Sequence, residues 1–129
     1  LLSFTAPETL DVACVGGKGF GLARATQAGL PVPEGVILPT DATGLDGAAS
    51  LAALPPHDYA VRSSGSAEDL PGAAFAGLHD TLLNVHGADA LLAAVKQCWL
   101  SLWNAEVLPY RERLGVAHES AAMAVVIQQ

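Results

Sequence analysis

Two stretches of this chain carry residue types that can hold a polyphosphate. Residues 16–21 read Gly-Gly-Lys-Gly-Phe-Gly, a lysine set among glycines just ahead of an apolar helical pattern. Residues 61–81 read Val-Arg-Ser-Ser-Gly-Ser-Ala-Glu-Asp-Leu-Pro-Gly-Ala-Ala-Phe-Ala-Gly-Leu-His-Asp-Thr, an arginine closing an apolar run and leading into hydroxyls and glycines. A phosphate chain needs cations to offset its charge, backbone N–H groups that approach closely, and hydroxyl donors. These two stretches supply all three. Lys and Arg together number only six, so two of them in Gly- and Ser-rich segments single out Lys18 and Arg62. Each stretch alone is ambiguous. No hydroxyl residue follows Lys18, so the spacing is not that of a Walker loop, and glycine turns also enter helices for steric reasons. Arg62 has alternative partners in Glu68 and Asp69, and Ser63, Ser64 and Ser66 can serve as turn residues.

These residues need a framework, and the pattern of the chain supplies an α/β one. Residues 11–15 read as an extended lead-in, 16–19 as a loop, and 20–28 as a short helix capped by Gly29 and stopped by Pro31 and Pro33. Residues 36–38 form a short strand, 48–54 a short helix closed by Pro55 and Pro56, and 59–62 a second strand. Residues 63–77 read as loop and 81–85 as a third strand. The strongest periodicity runs over 88–107, with Leu91, Val95, Cys98 and Leu102 on one stripe and Leu92, Trp99 and Trp103 widening it. Both tryptophans are therefore expected in the core. Pro109 is expected to interrupt this helix, a helical turn follows at 110–114, and 122–127 form the last strand.

A formal net charge of −7 excludes a general nucleic-acid surface, which needs clustered cations. A small phosphate ligand needs only a local positive site, and a divalent cation can offset the rest. No apolar run approaches the ~20 residues of a membrane span, and no secretory signal pattern opens the chain. Cys14 and Cys98 form no CxxC or Cys/His cluster, as expected of reduced thiols in a cytoplasmic protein. His57, His79, His86 and His118 share no metal-ligand spacing, and no metal ligand is assigned. The chain opens without Met and stops directly after a strand-like run, which reads as one domain, or part of one, cut from something longer.

In order, the blocks are Gly16-Gly-Lys-Gly-x-Gly-Leu22, Ala28-Gly-Leu-Pro-Val-Pro-x-Gly-Val36 and Ala60-Val-Arg-Ser-Ser-x-Ser-Ala-Glu-Asp-Leu-Pro-x-Ala-x-Phe-Ala-Gly77. Asp80-Thr-x-Leu-Asn-Val85, Ala90-Leu-Leu-x-Ala-Val-Lys-x-Cys-Trp99 and Tyr110-Arg-x-Arg113 follow. This series resembles the N-terminal nucleotide-binding domain of phosphoenolpyruvate synthases, pyruvate phosphate dikinases and rifampicin phosphotransferases. It covers nearly all of the chain outside residues 1–10 and 41–58.

The resemblance implies the first subdomain of an ATP-grasp-like domain, a small mixed sheet with helices, in which Mg²⁺-ATP lies between two subdomains. It carries phosphate contacts onto Lys18 and Arg62 and puts Gly77 and Thr81 near the nucleotide. The parent reaction it implies converts ATP, pyruvate and water into phosphoenolpyruvate, AMP and phosphate. That reaction runs through a phosphohistidine on a separate carrier domain, with a further domain binding the acceptor. The parent is then an ATP-dependent phosphotransferase, and this chain alone is expected to be inactive. Family members carry a longer stretch where this chain has residues 41–58, a Gln where Leu78 stands and a Thr where Ser66 stands. They also carry a later region with acidic metal ligands. The alternative these departures raise is a degenerate, non-catalytic nucleotide-binding or regulatory module of the same fold. Half of an ATP-grasp domain would also expose apolar surface, so self-association is a further expectation.

Overall fold

In the computed structural model the described residues are 1–42, 44–66, 81–104, 107–113, 115, 117 and 121–129. Five strands, Leu2–Ser3 (β1), Gly35–Leu38 (β2), Asp58–Gly65 (β3), Thr81–His86 (β4) and Met123–Gln128 (β5), form one sheet in the order β1-β2-β5-β3-β4. Each of these strand pairings is antiparallel. Among the described residues four α-helices accompany it: Val12–Gln27 (α1), Gly44–Ala52 (α2), Ala88–Leu100 (α3) and Val107–Arg113 (α4). The expected α/β class, a small sheet with helices, is the architecture found.

β5 is the centre of the fold, and every one of its residues is buried. Its run of Met, Ala, Val and Ile lacks polar alternation because both faces of the sheet are covered. Val125 and Ile127 face α2 and α3, in a cluster with Leu38, Leu51, Tyr59, Val61, Leu91, Val95 and Cys98. Ala124 and Val126 face the other way, in a cluster with Phe4, Val15 and Ile37, against which Cys14, Phe20 and Leu22 pack. α3 buries Leu91, Ala94, Val95 and Cys98, the i, i+3, i+4, i+7 stripe of an amphipathic helix.

Several elements depart from the sequence expectation. α1 begins at Val12, not after the glycines, and runs through a break at Gly16. β3 continues to Gly65, so Ser63, Ser64 and Gly65 are strand and not loop; they pair with Val125, Ala124 and Met123 of β5. Tertiary pairing with a central strand overrides the turn preference of Ser and Gly. α3 ends at Leu100, followed by a 3-10 turn at Ser101–Trp103. There the buried Ser101 hydroxyl donates to the Cys98 carbonyl at 2.6 Å and competes with the helical ladder. Pro109 interrupts nothing. It is the third residue of α4, in the first turn, where a missing N–H costs little. Trp103, expected in the core, is 57% exposed, while Trp99 packs against the core from its edge.

Candidate functional site

The break in α1 is the structural centre of the candidate site. Gly16 has φ 69 and ψ 173, a conformation that residues with a Cβ avoid. A Cβ there would also fall against the carbonyl oxygen and hydroxyl of Ser64 on β3. The chain thus makes one helical turn from Val12, kinks at Gly16 and resumes as the long part of α1.

Such a break orphans the carbonyls that end the first turn and the N–H groups that begin the second. The fold meets this demand from two strands. Just past β2, Thr40 donates its hydroxyl to Ala13 O at 2.9 Å and its N–H to Cys14 O at 2.9 Å. From β3, the Ser64 hydroxyl donates to Val15 O at 2.8 Å and accepts from Gly19 N–H at 3.0 Å. At its start, α1 is capped by Asp11, whose carboxylate accepts from Ala13 N–H at 2.9 Å. At its end, Leu30 N–H bonds Ala25 O and Gly29 N–H bonds Thr26 O, the Schellman closure that Gly29 at φ 77 permits.

Ser64 therefore ties the two sequence motifs together. Lys18 lies in the turn between Gly16 and Gly19 and is half-buried. Arg62, two residues before Ser64, faces the same side of the sheet, since Arg62 pairs with Val126 and Ser64 with Ala124, the two β5 residues of the α1-side cluster. Arg62 is also half-buried. Thr81 is its direct cross-strand partner on β4 and is exposed. Beyond this pair, β4 carries a bulge opposite Tyr59–Val61, with Asn84 at φ 56. The structure thus draws the Lys18 turn, Arg62 and Thr81 to one end of one sheet face, while Gly77, Glu68, Asp69 and Leu78 lie outside the described residues. Sequence reasoning missed the part played by Ser64. Its signal was the double serine after an apolar run, where a buried hydroxyl on a strand can look like a turn residue.

Chemically, this end offers two cations and a hydroxyl beside a glycine-rich backbone turn, a set suited to a phosphate chain. Among the described residues no group of three or more His, Cys, Asp or Glu could hold a metal ion. Two cations and a hydroxyl do not make a protein cage for Mg²⁺, which takes oxygen ligands and keeps several waters. A cavity of about 410 Å³ among the described residues lies elsewhere, around Phe4, Thr26, Val32, Tyr59 and Ile127 at the opposite end of β3. No helix among the described residues is long and apolar enough to cross a membrane.

The chain is a small α/β domain, and comparison with known proteins gives both its nucleotide-binding class and its family. Residues 47–129 match the family described as pyruvate phosphate dikinase, AMP/ATP-binding domain. The chain belongs to that family. It is 32% identical over 170 residues to a phosphoenolpyruvate synthase of Aeropyrum pernix, covering 89% of this chain and 21% of the relative. It is 33% identical over 174 residues to a probable phosphoenolpyruvate synthase of Methanothermobacter thermautotrophicus, covering 92% of this chain and 25% of the relative. A rifampicin phosphotransferase of Bacillus subtilis is 47% identical over 73 residues, 57% of this chain and 8% of the relative. The chain thus spans a quarter or less of the length of these relatives. The family match begins after the Lys18 turn, but the Aeropyrum alignment leaves out only about a tenth of the chain and so takes in residues 16–22.

Proposed function

We propose that this chain is the phosphate-binding part of the ATP site of a dikinase-type phosphotransferase. In this reading Lys18 and Arg62 neutralise the phosphate chain of Mg²⁺-ATP, the Thr81 hydroxyl donates to it, and Gly77 lets the backbone approach. Catalysis by such a domain rests on positioning and charge neutralisation more than on covalent chemistry. The parent's reaction would deliver a phosphoryl group from ATP to a histidine on a carrier domain and then to an acceptor such as pyruvate, with release of AMP and phosphate. The observation that carries the proposal is the Ser64 bridge, which fastens the Lys18 turn to the strand bearing Arg62. Calorimetric titration of the chain with ATP and Mg²⁺, alongside Lys18→Ala and Arg62→Ala, tests it. Saturable binding weakened in both variants is expected; equal affinity in all three would overturn the assignment.

One observation favours a second reading, a non-catalytic nucleotide-binding module of the same fold. The alignment to the Aeropyrum relative runs over 170 positions, more than the 129 residues of this chain, so that relative has residues within the aligned stretch that this chain lacks. ATP labelled in the β-phosphate separates the two readings when given to a protein carrying this domain with its carrier histidine. Label on that histidine supports the enzyme, and binding without transfer supports the module.

A further inference from the structure

We infer that Ser64 is a positioning residue for the nucleotide site, acting through Lys18 and not by touching ATP. The inference rests on the nucleotide reading above and adds to it a bridging role for Ser64 that neither motif spacing nor charge would suggest. A hydroxyl is the one small group that can donate and accept at the same time. Ser64 uses both capacities at once, donating to Val15 O on one side of the Gly16 break and accepting from Gly19 N–H on the other. It acts as an N-cap supplied by a strand 45 residues away in sequence, for the part of α1 that resumes after Gly16.

Three features make this a device and not an incidental contact. Ser64 is fully buried, so neither of its partners can turn to water in its place. Gly16 leaves open the space that Ser64 occupies, and any Cβ at residue 16 would close it. Ser64 is also two residues from Arg62 on the same face of β3, so the bridge fixes the spacing between the two candidate phosphate cations. Without the hydroxyl, Val15 O and Gly19 N–H lose their bonds to β3, and the turn that presents Lys18 loses this anchor. Preorganised cations bind a phosphate chain more tightly than cations that must first be ordered.

The test is a double-mutant cycle on the full 129-residue chain, read by ATP affinity in the presence of Mg²⁺. Ser64→Ala is expected to weaken ATP binding about tenfold, as a buried hydrogen-bond partner is lost. Ser64→Thr, which keeps the hydroxyl, is expected to recover most of that. Because Ser64 acts through Lys18, the Ser64→Ala/Lys18→Ala pair is expected to bind no more weakly than Lys18→Ala alone. Amide exchange at Gly19 is expected to accelerate in Ser64→Ala, with α3 unchanged. Ser101→Ala is the control: it removes an equally buried hydroxyl on the opposite face and is expected to leave ATP affinity as it was.

Wild-type affinity in a folded Ser64→Ala, or losses that simply multiply in the cycle, would overturn the positioning role while leaving the nucleotide site standing. Should Ser64→Ala fail to fold, Ser64→Cys, close in size but a poor donor and acceptor, carries the same comparison with the same two outcomes. No ATP binding by the unmodified chain would overturn the nucleotide reading itself, and the positioning role with it.

Discussion

The two faces of the sheet are built on different principles although one strand, β5, serves both. Toward α3, Val125 and Ile127 meet Leu38, Leu51, Val61, Leu91 and Val95 in a buried apolar cluster with Tyr59 and Cys98. Toward α1, Ala124 and Val126 meet Phe4, Val15 and Ile37, and the layer then gives way to Ser64, Arg62 and the glycine break. The first face stabilises by burying area. The second gives up packing near Gly16 and holds its shape with hydrogen bonds from Thr40 and Ser64. A regular helix packed on that face would bury more surface but present no turn. The contrast separates a face stabilised by packing from a face that gives packing up for a glycine break.

Breaking the second face at its hinge should have the largest effect. Gly16→Ala combines a forbidden backbone conformation with a clash against Ser64 backbone, and we expect a loss of about 4 kcal/mol or more in urea unfolding. A loss under about 1 kcal/mol would mean that the break is dispensable. Next comes the first face. Ile127 is fully buried in the α3-side cluster, and Ile127→Ala should cost about 3 kcal/mol of stability. If the faces divide their tasks, the folded fraction of that variant binds ATP with unchanged affinity. A parallel fall in affinity would merge the two faces into one.

Smaller again are the changes that separate binding from folding. Lys18→Ala or Arg62→Ala should lower ATP affinity by about 10- to 100-fold, the worth of one charge-assisted contact of about 1.5–3 kcal/mol. Arg62→Lys should recover only part, since an ammonium cannot reproduce a two-pronged guanidinium contact. The loss should shrink as salt rises, because both cations are half-exposed. Affinity independent of ionic strength would point away from a phosphate ligand.

The sequence made the first face more legible than the second. Period 3.6 over Leu91, Val95 and Cys98 and the β-branched Val125 and Ile127 both encode burial directly, and these residues lie in the core observed. The site was legible as residue types but not as geometry. Glycines at 16, 17 and 19 read as a loop, whereas only Gly16 leaves helical geometry and Gly17 and Gly19 remain within α1. Ser63, Ser64 and Gly65 read as loop because their local preference is for turns, and only pairing with β5 makes them strand. Trp103 read as core because helical spacing was carried past Leu100, where Ser101 takes the Cys98 carbonyl and ends the stripe. Local pattern reports burial well; it is blind to hydroxyls that act across 45 residues.

The two thiols allow the finest test of the same contrast, one lying on each face. Cys98 is wholly enclosed in the α3-side cluster, while Cys14 is only half-buried in the first turn of α1. Partial burial pushes the Cys14 thiol above its ordinary pKa, and the carboxylates of Asp41, Asp11 and Glu8 push in the same direction. The folded state thus favours the neutral thiol. Its small contribution to stability is fully present below the unfolded-chain value near about 8.5 and is lost as pH rises through the higher folded value. Alkylation with iodoacetamide, which consumes thiolate, should therefore be slow at neutral pH and label Cys14 only as the solution becomes alkaline. Cys98 should stay unmodified until the domain unfolds. Mass spectrometry of peptides labelled across a pH series checks both. Early labelling of Cys98 in folded protein would show that the apolar face opens more readily than the face that carries the Gly16 break.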